Sequence, residues 1–158
     1  MAQELYSDFG VIAWREDSQW SVSQLTDTDE LGSIMDQLIG KSRQYGGAVV
    51  LLSVSEDFFV VAREIGTEMK MMISDATFAL ENDLAVDLLE MLDLPFPEED
   101  DDSQPGGDLD LLNDLGINSM ELEAIASDTD MYPDEAIEAI ASRLGFGSEF
   151  TDLYENGE

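Results

Sequence analysis

The chain of 158 residues has no cysteine and no histidine, and only six lysines and arginines stand against 37 aspartates and glutamates. Without cysteine there is no disulfide framework, no thiol nucleophile and no thiolate metal site. Without histidine the commonest general base near neutral pH and the commonest metal ligand are both missing. Ser-His-Asp and Cys-His triads, zinc hydrolase centres and the zinc deaminase signature are thereby excluded. No apolar run approaches the roughly 18 residues of a membrane span. The opening Met1-Ala2-Gln3-Glu4 also lacks the basic start of a signal peptide. A cytoplasmic location is the expectation that follows.

What is present is an ordinary supply of core residues and an extreme charge. The apolar fraction is 44%, with Trp14, Trp20 and seven phenylalanines, enough for a packed interior. The net charge of −31 is unevenly spread. Residues 1–70 hold five cations against twelve acids, a balance of −7, whereas residues 71–158 hold only Arg143 against twenty-five acids, a balance of −24. Such a surface repels phosphate backbones and anionic lipid, because affinity for nucleic acid comes mainly from Lys and Arg displacing counterions. It attracts a basic protein, or the basic face of an enzyme that handles nucleic acid.

Hydrophobic patterning predicts an α+β chain. Phe9 to Arg15 and Trp20 to Gln24 flank Asp17-Ser18 as a hairpin. Leu31, Ile34, Met35, Leu38 and Ile39 form one helical stripe, with Asp27 and Glu30 suited to its first turn, and Gly46-Gly47 ends it. Ala48 to Val54 is continuously apolar and reads as a central strand covered on both faces. Phe58 to Glu64 and Met69 to Ile73 read as two more strands, with Met69, Met71 and Met72 as strand residues rather than an adaptable binding stripe. Ser74-Asp75 offers an N-cap to helical pieces through Leu92. The order ββαβββα implies a mainly antiparallel five-stranded sheet over residues 1–94, with helices on one face.

Residues 95–107 contain three of the four prolines, the run Glu98-Glu99-Asp100-Asp101-Asp102 and Gly106-Gly107, which reads as a flexible acidic linker. Residues 108–158 then read as a small three-helix unit: Asp108 to Leu115, Ser119 to Ser127 with Asn118 or Ser119 as cap, and a helix opened by Pro133 and closed by Gly145. Phe146 and Phe150 are expected to fold back on it. About 50 residues is close to the lower limit for an independent core. The unit is therefore either marginal alone or docked on the sheet.

Catalytic and ligand motifs are few. Nothing singles out a carboxylate pair as an acid/base dyad. An EF-hand starting at Asp100 would need Gly and Glu where Pro105 and Leu111 stand, and one starting at Asp128 fails likewise at Pro133 and Ala139. The glycine pairs match neither a Walker loop nor a dinucleotide fingerprint. No cofactor or metal is expected. Asp114-Leu115-Gly116-Ile117-Asn118-Ser119-Met120-Glu121-Leu122 is similar to the helix start of acyl carrier proteins, with Ser119 at the attachment position and Asn118 in place of the family's Asp. A capping Ser accounts for the same residues without chemistry. A carrier would further need the Leu84 to Leu92 helix to join a bundle across the acidic linker.

Taken in order along the chain, several pieces resemble the actinobacterial tRNA adenosine deaminase-associated proteins. They are Gly46-Gly47 with Val49 to Val54, Phe58-Phe59-Val60-Val61, Ser74-Asp75-Ala76, the acidic segment, Asp108 to Leu112, Asp114-Leu115-Gly116, Pro133 with Ala136 to Ala141, and Leu144-Gly145-Phe146 with Glu149-Phe150. The resemblance implies no catalytic residues, only an association inferred from gene neighbourhood. The chain is accordingly read as a non-enzymatic acidic accessory protein working through protein–protein interaction. Its partner is a basic protein, with the tRNA adenosine deaminase as the candidate. Glu98, Glu99, Asp100, Asp101, Asp102, Asp108, Asp110 and Asp114 are the candidate partner-binding acids. The alternatives are a nucleic-acid mimic, which requires acids held rigidly at phosphate-like intervals, and the carrier with Ser119 as its attachment site.

Overall fold

A computed structural model describes residues 8–156. The opening Met1 to Glu4 lies outside the described residues. The first strand, β1 (Phe9–Glu16), turns at Asp17 and Ser18 into β2 (Gln19–Gln24). Both turn residues have positive φ, 52° and 70°, the backbone of a tight two-residue hairpin whose twist matches the strands. Helix α1 (Leu31–Tyr45) crosses one face and leads into the meander β3 (Val49–Val54), β4 (Phe58–Ile65) and β5 (Glu68–Ile73). Five of the strands are therefore those expected from patterning. Every pairing is antiparallel, and the spatial order is β2-β1-β3-β4-β5-β6.

The start of α1 is built differently from the expectation. Glu30 occupies the cap position, but its side chain makes no capping bond, and Asp27 lies in a positive-φ turn. Gln37, one and a half turns into the helix, instead donates to the Thr26 carbonyl at 2.7 Å and accepts from the Thr26 N–H at 3.1 Å. The entry is thereby fixed from inside the helix rather than by its cap.

Alternation along the strands divides the interior into two layers. Ile12, Trp14, Val50, Leu52, Val54, Phe58, Val60, Ala62, Met71 and Ile73 face α1 and α2 (Asp83–Met91). Phe9, Val11, Ala13, Val49, Leu51, Phe59, Val61 and Met72 face the opposite way. Met71 and Met72 are both fully buried, one in each layer, so these methionines are core residues of a strand.

The second face is closed by the C-terminal third of the chain. Where a first helix was expected over Asp108 to Leu115, the chain forms turns and a short 3₁₀ segment at Asn113–Leu115, because Asp108 is held to Met71 of β5; helices α3 (Ser119–Ala126), α4 (Pro133–Leu144) and α5 (Gly147–Asn156) follow. Leu111, Leu112, Ile117, Leu122, Ile137, Ile140, Phe146 and Phe150 are buried against the sheet residues of that face. Phe150 meets Phe9 edge-on at 5.6 Å, and Phe146 lies 4.9 Å from Trp20. The helical segment therefore shares a core with the sheet. This docking resolves how so short a segment buries its apolar surface: each large side chain contributes about 1.5–3 kcal/mol when buried, and here the sheet supplies the partners. Helix α5, not expected as a separate helix, carries Phe150, Leu153 and Tyr154 toward the same layer.

Residues 95–107, expected to link two units, change the chain from one face to the other. Leu92 and Leu94 pack on the α1 layer, Pro97 is buried, and Gln104 accepts from the Ala76 N–H at 2.8 Å. A sixth strand follows, β6 (Gly106–Gly107), paired antiparallel with β5. Gly107 has φ +96°, and a Cβ there would come within 2.4 Å of the Met71 carbonyl oxygen, so only glycine fits.

Because both layers are built on the same four strands, β1, β3, β4 and β5, they are expected to unfold together. In Trp14→Phe, the remaining Trp20 reports on the C-terminal layer; in Trp20→Phe, Trp14 reports on the α1 layer. Within each variant, fluorescence and far-ultraviolet circular dichroism should give one denaturant midpoint. An earlier fluorescence midpoint in Trp14→Phe would mean that the C-terminal layer detaches on its own.

Candidate functional site

The few cations of this protein are mostly engaged with its own groups. Arg63 points from β4 into the second layer, with its side chain 15% exposed. It donates to both carboxylate oxygens of Asp114, at 2.5 and 2.9 Å, and to the Leu111 carbonyl at 2.9 Å. Arg143 reaches from α4 to Glu121 at 2.6 Å and to the Gly116 carbonyl at 3.1 Å. Arg15 lies over Trp20 and Lys41 over Trp14, at 4.9 and 4.2 Å, while Arg43 stands 3.7 Å from Glu64. Little positive charge is left to offer a phosphate.

The candidate acids separate by environment. Glu98 to Asp102 are all exposed, and the Asp101 carboxylate accepts from the Glu98 N–H at 2.8 Å, closing a local turn. Asp110 is exposed as well. Asp108 is half-buried: its N–H bonds the Met71 carbonyl at 2.8 Å, and its carboxylate accepts from the Met71 N–H at 3.2 Å, which prolongs the β5–β6 pairing. Asp114 is committed to Arg63. The structure thus brings Asp108 and Asp114 into internal bonds and leaves Glu98 to Asp102 and Asp110 facing solvent.

Ser119 is exposed and is the first residue of α3, not its cap. Asn118 caps the helix, accepting from the Glu121 N–H at 2.9 Å while Glu121 accepts from the Asn118 N–H at 3.2 Å. Helices α2 and α3 lie on opposite faces of the sheet, so the bundle a carrier requires is not formed. The Asp128 carboxylate accepts from the Asp130 N–H at 2.9 Å, a local turn that accounts for that pair of acids. Among the described residues, no group of three or more acids is placed to hold a metal ion.

One concave site was not foreseen. A cleft of about 260 Å³ opens at the end of the sheet, between its second face, the 103–105 segment and the α3–α4 connection. Phe59, Pro105, Ile125, Met131 and Pro133 supply apolar lining, and Glu56, Asp57, Asp75 and Asp128 are acidic lining residues. Ser74 fixes the floor: its hydroxyl accepts from the Phe59 N–H, and its own N–H donates to the Phe59 carbonyl, both at 2.9 Å. These residues come from four separate stretches of sequence, so no local motif marks them.

Residues 8–147 match the family described as Rv3753c-like tRNA adenosine deaminase-associated protein. The chain belongs to this family. It is 34% identical over 152 residues to Protein Rv3753c of Mycobacterium tuberculosis (strain ATCC 25618 / H37Rv), covering 93% of this chain and 87% of that protein. No solved structure matches it. The resemblance carried by the strand and helix pieces is thereby established at the level of the family, whose description speaks of an association and names no reaction.

Titration also separates the acids. Asp114 and Glu121 are held below the ordinary carboxylate range, in each case first by the hydrogen bond from an arginine, Arg63 and Arg143 respectively. Asp8, whose carboxylate accepts from the Ser55 N–H at 3.1 Å, is pushed up, mainly by burial. A depressed carboxylate contributes stability that is fully present above its ordinary value and lost as pH falls through its folded value; a raised one opposes folding when ionised and stops doing so in acid. Asp114→Asn is expected to cost up to about 1 kcal/mol at neutral pH, the limit for a solvent-screened pair. The difference from wild type should close as pH falls below 3.8, the ordinary value for this carboxyl. Chemical denaturation at pH 7 and pH 3 checks this, and an equal cost at both would show that the pair's charge contributes nothing.

Proposed function

We propose that this chain is a non-catalytic, cytoplasmic accessory protein that binds a basic protein surface, with the tRNA adenosine deaminase of the same organism as its partner. One observation carries the reading: Glu98 to Asp102 are all exposed to solvent, in a protein whose few cations are mostly engaged with its own carboxylates, carbonyls and aromatic rings. The family description supports the choice of partner. An enzyme that acts on tRNA presents basic surface to its substrate, and an exposed acidic segment complements such a surface by Coulomb attraction. The chain itself makes no direct nucleic-acid contact in this reading, since its surface repels phosphate.

Calorimetric titration of the protein into that deaminase, at low and at near-physiological salt, tests the reading. Saturable binding that weakens with salt is expected. No binding at either salt would overturn it. Replacing Glu98, Glu99, Asp100, Asp101 and Asp102 by their amides should slow association roughly tenfold at low salt and flatten its salt dependence, because exposed charges act mainly on the on-rate. Stopped-flow kinetics reads both effects, and an unchanged on-rate would remove this segment from the mechanism.

A further inference from the structure

We infer that the cleft between Glu56-Asp57 and the α3–α4 connection is the docking groove for an arginine-bearing, partly apolar segment of a partner protein. This deepens the accessory reading and rests on it for the partner's identity. The groove has the two features such a segment needs. Phe59, Ile125, Met131 and Pro133 offer apolar surface for an aliphatic stem and a neighbouring side chain. Glu56, Asp57, Asp75 and Asp128 make the lining acidic, and the planar fork of a guanidinium matches a carboxylate bidentately.

Charge complementarity selects a cation as the occupant. No lysine or arginine is among the residues lining the cleft. The wall formed by Ser103, Gln104 and Pro105 continues directly from the exposed acids Glu98 to Asp102, so the approach carries the same sign as the lining. Concave acidic surface with apolar walls concentrates the field, because charges bordering a low-dielectric wall are screened less than those on an open face. The acidic segment would attract a basic surface, and the groove would receive one side chain from it. Asp75 and Asp128 each hold a local N–H through one carboxylate oxygen, which fixes those carboxylates in place.

The test uses the full chain and a capped Leu-Arg-Leu peptide, followed by ¹⁵N–¹H nuclear magnetic resonance, with Leu-citrulline-Leu as the neutral isostere. Shifts confined to residues 56–59, 74–75, 103–105 and 125–136 are expected with arginine and not with citrulline. Glu56→Gln with Asp57→Asn, two exposed residues, should weaken the peptide roughly threefold to tenfold. Thr129→Trp, which adds bulk in the groove without changing charge, should weaken it at least as much. Shifts scattered over the whole acidic surface, the same shifts with magnesium chloride alone, or variants that titrate like wild type would overturn the inference. The same variants are then titrated with the deaminase. Deaminase binding that ignores both variants would remove the groove and keep the accessory reading. Absence of deaminase binding with the peptide still confined to the groove would remove that partner and keep the groove.

Discussion

The central strands are apolar on both faces, and the rest of the molecule follows from that. Val49, Val50, Leu51 and Leu52 in β3, with Phe58 to Ala62 in β4, leave neither side of the sheet able to meet water. One cover is local: α1 and α2 lie near these strands in sequence. The other must come from elsewhere in the chain. Helices α3 to α5 supply it, and the face-changing segment ending in Gly106 and Gly107 exists to deliver them. A strand pair buried on both faces without its second cover would expose a contiguous apolar surface of the kind that drives aggregation.

Charge is arranged around the same constraint. Arg63 stands on the buried side of β4 and would be costly there without partners. Asp114 and the Leu111 carbonyl supply them, and in doing so they fix where the helical segment begins on the sheet. Arg143 and Glu121 tie α3 to α4 in the same layer. With the arginines used in this way, the outward electrostatics is set almost wholly by carboxylates. The acidic surface and the internal ion pairs are thus two consequences of one shortage of cations.

The concave site arises where this packing has a seam. The β3–β4 turn, the end of β5, the face-changing segment and the α3–α4 connection converge at one end of the sheet, each bringing an acid or an apolar side chain. None of these stretches is distinctive by itself. Their juxtaposition joins an exposed acidic run to a groove.

The sequence by itself determined the element types, because periods of two and of 3.6 are local signals: the hairpin at Asp17-Ser18, the stripe of α1, the doubly buried β3 and the Pro133 to Gly145 helix all stand as patterning predicts. It also determined the charge and, through the absence of Cys and His, the chemistries that are excluded. Strand β6 was hidden because two glycines carry no side-chain pattern. Helix α5 was hidden behind the Gly147-Ser148 start, although Phe150, Leu153 and Tyr154 have helical spacing. Only the tertiary structure decided that the C-terminal helices cover the sheet, that Asp114 pairs with Arg63, and that Glu56, Asp75 and Asp128 share one cleft. These are contacts across dozens of residues, set by which apolar faces remain uncovered after the local elements have formed, and no local pattern encodes them.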